Sequence, residues 1–223
     1  MDGLRDRFRV IVPDARRHGA SAAPEGAYTL DRLGRDALAL LDHAGMDVAH
    51  VCGISMGGLV AQWLAIEAPA RVGRLVLANT ASRIGSVASW QEREAVVRDQ
   101  GLAAIADTVL ARFFGAAFRS ARPAVVARFR ERLLSTPAQG YAGCCAALRE
   151  ADLSAQSDGI ACRTLVIAGD EDVSTPPALS QALAAAIPGA RLLVLPASHL
   201  SNVEQEAAFS GALFEHLMAP EAA

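Results

Sequence analysis

No stretch of this 223-residue chain approaches the run of about eighteen to twenty apolar positions that a membrane-spanning helix requires, although 52% of its residues are hydrophobic. The residues after Met1 carry no charged segment followed by an apolar signal core, so a cytoplasmic address is expected. Positive charge is not in excess either. The formal net charge is −3 at pH 7 and the isoelectric point is near 6.0, which removes the basic footprint by which nucleic acid or an anionic membrane surface is held. Cysteine is scarce: Cys52, the adjacent Cys144 and Cys145, and Cys162 lack metal-ligand spacing and are expected to be reduced, with Cys52 a small buried strand residue. The length and apolar content suit one globular domain with room for an inserted subdomain, and they argue against disorder.

Against that background the most informative stretch is Gly53-Ile54-Ser55-Met56-Gly57, a Gly-x-Ser-x-Gly run between strand-like Val48 to Cys52 and helix-like Gly58 to Ala68. In such a place the serine sits on a sharp strand-to-helix turn that lifts its hydroxyl clear of the sheet, and the glycines avoid side-chain clashes. Met56 would open the helix, with its backbone N–H pointing at a developing oxyanion. The bland alternative is a glycine-rich turn with an idle serine.

A serine hydroxyl is too weakly acidic to attack a carbonyl unaided; it needs a histidine to accept its proton and a carboxylate to hold that histidine's tautomer. Both follow in order. Leu165 to Ala168 reads as a buried strand leaving into Gly169-Asp170-Glu171-Asp172-Val173-Ser174-Thr175-Pro176, and Leu192 to Leu195 as another leaving into Pro196-Ala197-Ser198-His199. Each candidate thus stands beyond the carboxyl end of a strand, the edge at which open parallel sheets bind ligands. His199 is the expected base. His43 ends a helix pattern, His50 starts a strand and His216 lies in the last helix, whereas His18 sits in a loop from which nothing orients it. Of the three adjacent carboxylates Asp172 is preferred, the other two reading as solvated loop charges.

Along the chain, Phe8 to Pro13 reads as a strand, Asp14 to Gly26 as a loop, and Thr29 as the N-cap of a helix through Ala44. The strand ending at Gly53, the helix behind Ser55 and a strand from Arg74 to Ala78 continue a βαβ alternation, which implies a parallel α/β sheet. The alternation then stops. Residues 90–100, 102–114, 123–135 and 138–150 carry helical spacing without a strand between them, so residues 83–158 are expected to form a helical cap inserted into a core made of 1–82 and 159–223. Such a cap would cover the serine and exclude water. Ile105, Val109, Phe113 and Phe114 read as its packing residues rather than substrate contacts. The chain closes with a helix from Glu204 to Met218.

Cys52-Gly53-Ile54-Ser55-Met56-Gly57-Gly58, Ala61-Gln62-Trp63-Leu64-Ala65, Pro69-Ala70-Arg71-Val72 and the segment Leu75 to Gly85 together resemble the 3-oxoadipate enol-lactonases of the α/β-hydrolase superfamily. The elbow and the acid and base loops are superfamily-level signals, and Gln62-Trp63 and Asn79-Thr80-Ala81 point to the lactonases. The resemblance implies an α/β-hydrolase fold that opens a five-membered enol-lactone to 3-oxoadipate in the breakdown of protocatechuate and catechol. Its pattern makes Ser55 the nucleophile, Asp172 the orienting acid and His199 the base, with no metal or organic cofactor. A small-molecule lactone or ester is then the partner. Because that substrate carries a carboxylate, a cation is expected near the pocket, and Arg83 is the candidate. A carboxylesterase, a carbon–carbon bond hydrolase of another small acid and a silent binding relative remain as alternatives.

Two departures stand out. The resemblance implies three further strands ahead of Phe8, the third lying between that strand and the one leading to Ser55 and supplying a second oxyanion N–H; the expectation is therefore that Met1 is not the natural start. Arg17 stands where relatives usually carry glycine.

Overall fold

The computed structural model describes residues 2–16, 18–21 and 27–220; Arg17 and part of the loop expected at Asp14 to Gly26 lie outside them. Four strands, β1 (Ala49–Ile54), β2 (Val72–Ala78), β3 (Arg163–Gly169) and β4 (Arg191–Leu195), form one parallel sheet in the order β1-β2-β3-β4. Helix α1 (Asp2–Arg5) and helix α2 (Leu30–His43) precede β1, and α3 (Met56–Glu67) joins it to β2. Thr29 caps α2, its Oγ1 accepting the Arg32 N–H at 3.1 Å. After β2 come α4 (Val87–Gln100), α5 (Ala106–Phe113), α6 (Ala116–Ala121), α7 (Pro123–Ser135) and α8 (Ala138–Glu150), with no strand among the described residues before β3. Helix α9 (Pro177–Ala186) links β3 to β4, and α10 (Ser201–Glu204) and α11 (Glu206–Met218) follow.

The strands alternate their side chains between two apolar layers. Leu75 and Leu77 of β2 join Val166 of β3 against Leu64 of α3 and Leu183 and Ile187 at α9. On the opposite face Val76, Ala78, Leu165 and Ile167 meet Phe209 and Leu213 of α11. A sheet covered on both faces needs apolar residues at successive positions, which is why β2 and β3 read as nearly continuous hydrophobic runs.

Phe8 to Pro13 does not form a strand. A strand exists only as a member of a hydrogen-bonded ladder, and the nearest ladder edge, that of β1, stands across a groove of about 870 Å³ lined by Ile11, Val12 and Pro13 on one side and Val51 and Ile54 on the other. The segment is held instead by local contacts: the Arg9 guanidinium donates to the Ala44 carbonyl at 2.9 Å, and Phe8 packs edge-on against His50. Cys52 is likewise exposed, not buried. It shares an alternating face with His50 and Ile54; α11 covers this face over the inner strands, whereas β1 is an edge strand, where Ile54 is only partly buried and Cys52 stays exposed.

Helix α4 opens with a capping box between Ser86 and Ser89 and packs along α8, whose buried residues are small (Gly140, Ala142, Gly143, Cys144, Cys145, Ala146 and Ala147) except for Leu148. The carboxyl end of α8 then reaches the start of α3. Leu148, Ala151 and Leu153 pack with Leu59, and Met56 lies against both this cluster and the one formed by Tyr28, Leu33, Cys144 and Ala147. All four cysteines are free thiols, and burial pushes Cys144 up to about 11 and Cys145 to about 12, so both stay protonated and inert at neutral pH.

Candidate active site

Ser55 is one of two non-glycine residues with positive φ among those described, at φ 54° and ψ −120°. That backbone is costly for an L-residue and persists only where the surroundings determine it. They do so here through three contacts. The Ser55 N–H donates to the Ala78 carbonyl of the neighbouring strand at 3.1 Å, the Ser55 carbonyl accepts from Thr80 Oγ1 at 2.8 Å, and the same carbonyl takes the Gly58 N–H at 2.9 Å. Met56 is the first residue of α3, so its N–H has no acceptor within the helix and is free to donate beside the serine.

The glycines of the elbow are not equivalent. A Cβ on Gly53 would lie 2.1 Å from the Gly57 carbonyl oxygen and one on Gly58 would lie 2.6 Å from the Thr80 side chain, whereas a Cβ on Gly57 would meet nothing within 4 Å. The clash expected at every glycine of the motif therefore arises at Gly53 and not at Gly57. Gly53→Ala is expected to cost about 3 kcal/mol or more because backbone must move, and Gly57→Ala to stay within about 1 kcal/mol of the parent, as thermal or urea unfolding would measure. Equal losses in the two variants would contradict this account.

Asp170, Glu171 and Asp172 part company just beyond β3. Asp170 Oδ1 accepts the Ala197 N–H at 3.1 Å and so pins the two neighbouring loops together; Glu171 is exposed. Asp172 turns inward. Its Oδ2 lies 2.8 Å from His199 Nδ1 and also accepts from Thr175 Oγ1 at 2.7 Å and from Asn79 Nδ2 at 3.0 Å, while Oδ1 takes the N–H groups of Ser174 and Thr175. Burial works to raise the Asp172 pKa, but the imidazole and these donors outweigh it and hold the carboxyl below its ordinary value. A carboxylate at Nδ1 makes that nitrogen the donor, which leaves Nε2 of the neutral ring with its lone pair free.

Asn79, the second residue with positive φ (45°), is fully buried at the carboxyl end of β2. Its amide donates to Asp172 Oδ2 and to the Ser198 carbonyl, and its Oδ1 accepts from Ser201 Oγ at 2.5 Å. In the sequence Asn79 stands out only within the stretch that resembles the lactonases. The available signal was an asparagine directly after a buried strand, a residue type that tolerates the left-handed region and can reach sideways to a neighbouring loop.

Ser55, Asp172 and His199 therefore leave the same edge of the sheet, beyond β1, β3 and β4. A chain of contacts joins them: Ser55 N–H to Ala78 O, the adjoining Asn79 to Asp172, and Asp172 to His199. Among the described contacts Ser55 and His199 are not themselves hydrogen-bonded; catalytic hydrogen bonds of this kind tighten in the complex with substrate. Arg83 is paired with Asp152 at 3.3 Å, both side chains nearly half exposed, and no hydrogen bond among the described residues joins it to Ser55, Asp172 or His199. His18 bonds the Arg16 carbonyl at 2.9 Å, and His216 is buried in α11 with its pKa lowered chiefly by that burial. Gln62, from the Gln62-Trp63 pair, is fully buried and donates to the Gly58 and Ala81 carbonyls, tying the serine helix to the segment after β2.

The model of the alpha/beta hydrolase fold matches residues 1–206. The chain belongs to the α/β-hydrolase family. Among its relatives, a 3-oxoadipate enol-lactonase of Acinetobacter baylyi is 47% identical over 210 residues, spanning 94% of this chain and 79% of the relative. The solved enol-lactonase of Burkholderia xenovorans superposes with a TM-score of 0.90 at 42% identity, covering 92% of this chain and 78% of that one. An esterase of Thermogutta terrifontis gives a TM-score of 0.91 at 32% identity, with 97% and 82% covered. The α/β-hydrolase is thus an ester hydrolase of the kind the enol-lactonase resemblance implied. Its parallel sheet is flanked by helices, and no helix among the described residues is long and apolar enough to cross a membrane.

Proposed function

We propose that the enzyme opens the ring of 3-oxoadipate enol-lactone by acyl transfer through Ser55, releasing 3-oxoadipate in the catabolism of aromatic compounds. The observation that carries this reading is the buried Asp172–His199 pair at the sheet edge where the strained Ser55 emerges, in a chain 47% identical to an enol-lactonase. His199 Nε2 takes the hydroxyl proton as Ser55 Oγ bonds to the lactone carbonyl carbon, and the Met56 N–H at the start of α3 holds the oxyanion. The ring C–O bond then breaks, the departing enol oxygen receives the proton from His199, and the enol tautomerises to the ketone. Because acyl and leaving groups belong to one molecule, the opened product stays attached through the ester to Ser55. Water, deprotonated by His199, cleaves that ester and frees the serine.

Residues 83–158 act in this scheme as the cap, with α8 against Met56 keeping bulk water from the oxyanion. Four free thiols suit a reducing cytoplasm. Arg83 receives the substrate carboxylate. An exposed ion pair such as Arg83–Asp152 contributes only about 0–1 kcal/mol, so exchanging Asp152 for the substrate costs little. Arg83→Ala is expected to raise KM by about tenfold with kcat retained, and an unchanged KM would remove Arg83 from the site.

The Thermogutta esterase supports a second reading, cleavage of acyclic esters of small acids. Comparing kcat/KM on enol-lactone generated in situ with that on short p-nitrophenyl esters separates the two. Preference for the lactone supports ring opening; faster turnover of the acyclic esters rejects it.

A further inference from the structure

Helix α5 ends against the loop that carries His199. The last carbonyls of a helix find no partner within it, and those of Arg112 and Phe113 are taken by the two residues flanking the imidazole: Ser198 Oγ donates to Arg112 O at 3.2 Å and Leu200 N–H to Phe113 O at 3.0 Å. Glu204 closes the same junction from the other side. Its Oε1 accepts the Gly115 N–H at 2.7 Å and its Oε2 the Ser198 N–H at 3.2 Å, so one carboxylate ties the turn between α5 and α6 to the base loop. Between these fastenings the Phe113 ring lies on the imidazole, with centroids 5.7 Å apart and planes inclined by 24°.

Phe113 was expected to be a packing residue of the helical segment, on the same footing as Val109 and Phe114. Those two are buried, whereas Phe113 is only half-buried and spends its face on His199. Asp172 fixes Nδ1 at one edge of the imidazole, and one hydrogen bond still leaves the two side-chain torsions room to tilt the ring plane together. An aromatic face removes that freedom, since offset stacking holds two planes near parallel. The carboxyl end of a helix and the face of a phenyl ring both favour positive charge, so the same arrangement suits the imidazolium formed while His199 holds the serine proton.

We propose that Phe113 is a positioning residue for His199, setting the plane of the imidazole so that Nε2 faces Ser55, and that α5 and Glu204 hold it there. The proposal rests on His199 being the base of the acyl-transfer reading. Two readouts test it: the division between kcat and KM, and the His199 ring-proton resonances, which an overlying phenyl ring displaces. Phe113→Leu is expected to lower kcat by about tenfold with KM within about twofold, and to shift the His199 resonances toward those of an unstacked imidazole. Phe113→Tyr keeps the ring and is expected to restore both; Phe113→Met is read alongside in case leucine impairs folding. A folded leucine or methionine variant with wild-type kcat and unmoved resonances would overturn the proposal, as would a rise in KM at unchanged kcat, which would make Phe113 a substrate contact. Failure of the underlying reading looks different: His199→Ala would then turn over at the wild-type rate whatever stands at 113.

Discussion

Ser55→Ala is expected to lower kcat for lactone hydrolysis by about 10⁴–10⁶ while the protein folds as before and KM stays within a few-fold. The size follows from what the hydroxyl does. Without it no acyl-enzyme forms, and only the Met56 donor and the binding of the substrate remain to assist direct attack by water. Stability should not fall, because the Ser55 hydroxyl makes no hydrogen bond to a described residue and the contacts that hold its backbone, to Ala78, Thr80 and Gly58, run through main-chain atoms of residue 55 that alanine keeps. Steady-state kinetics with active-site titration by a fluorophosphonate provides the check. The parent should be labelled at Ser55 and the variant not at all. Ring opening that survives in the alanine variant rejects acyl transfer through this residue, and failure to label a folded parent would leave a binding protein in place of an enzyme.

The second large effect is at Asp172. Asp172→Asn is expected to reduce kcat by about 10⁴, because an amide at this position offers Nδ1 no charge and favours the wrong imidazole tautomer, with the proton on the nitrogen that should face the serine. Stability should fall as well. Five donors converge on the carboxylate, and an amide nitrogen can accept from none of those that now meet one of its oxygens. The pH dependence of folding carries the same signature. Since the folded carboxyl titrates below the ordinary value of 3.8, the unfolded chain binds the proton more readily; the stabilisation is fully present well above pH 3.8 and is lost as pH falls through that value and then through the lower folded pKa. Urea unfolding between about pH 6 and pH 3 should therefore show a steeper acid loss in the parent than in Asp172→Asn. Parallel curves would mean that this carboxylate is not the one the fold holds charged.

Much of this arrangement can be read from the chain. The runs Leu165 to Ala168 and Leu192 to Leu195 are strands because apolar residues in short blocks between polar loops have few other stable forms, and 123–135 and 138–150 are helices at the bounds their spacing predicts. Boundaries moved only slightly where side chains do not decide them: β1, expected to end at Gly53, runs on through Ile54, and α3 begins at Met56, the residue expected to open the helix. Phe8 to Pro13 has the composition of a strand and fails to be one, because pairing is a property of neighbours and not of the segment itself. Cys52 misleads for the same reason, its burial depending on which strand stands outermost.

Residue type and spacing alone carry the chemistry on offer: a serine at a strand-to-helix turn, a histidine and a cluster of carboxylates after later strands, and an alternation that demands a parallel sheet. Those properties are local, written in residue type and spacing, and they survive any uncertainty about neighbours. Folding in three dimensions settles which of three adjacent carboxylates turns inward, that Asn79 braces it from another strand, that a Cβ would clash at Gly53 and not at Gly57, and that Phe113 lies on the imidazole. Each of those depends on the direction of a side chain relative to a partner up to about a hundred residues away, or on the space left beside a backbone atom, and such distances come into being only when the sheet closes and the helices settle upon it.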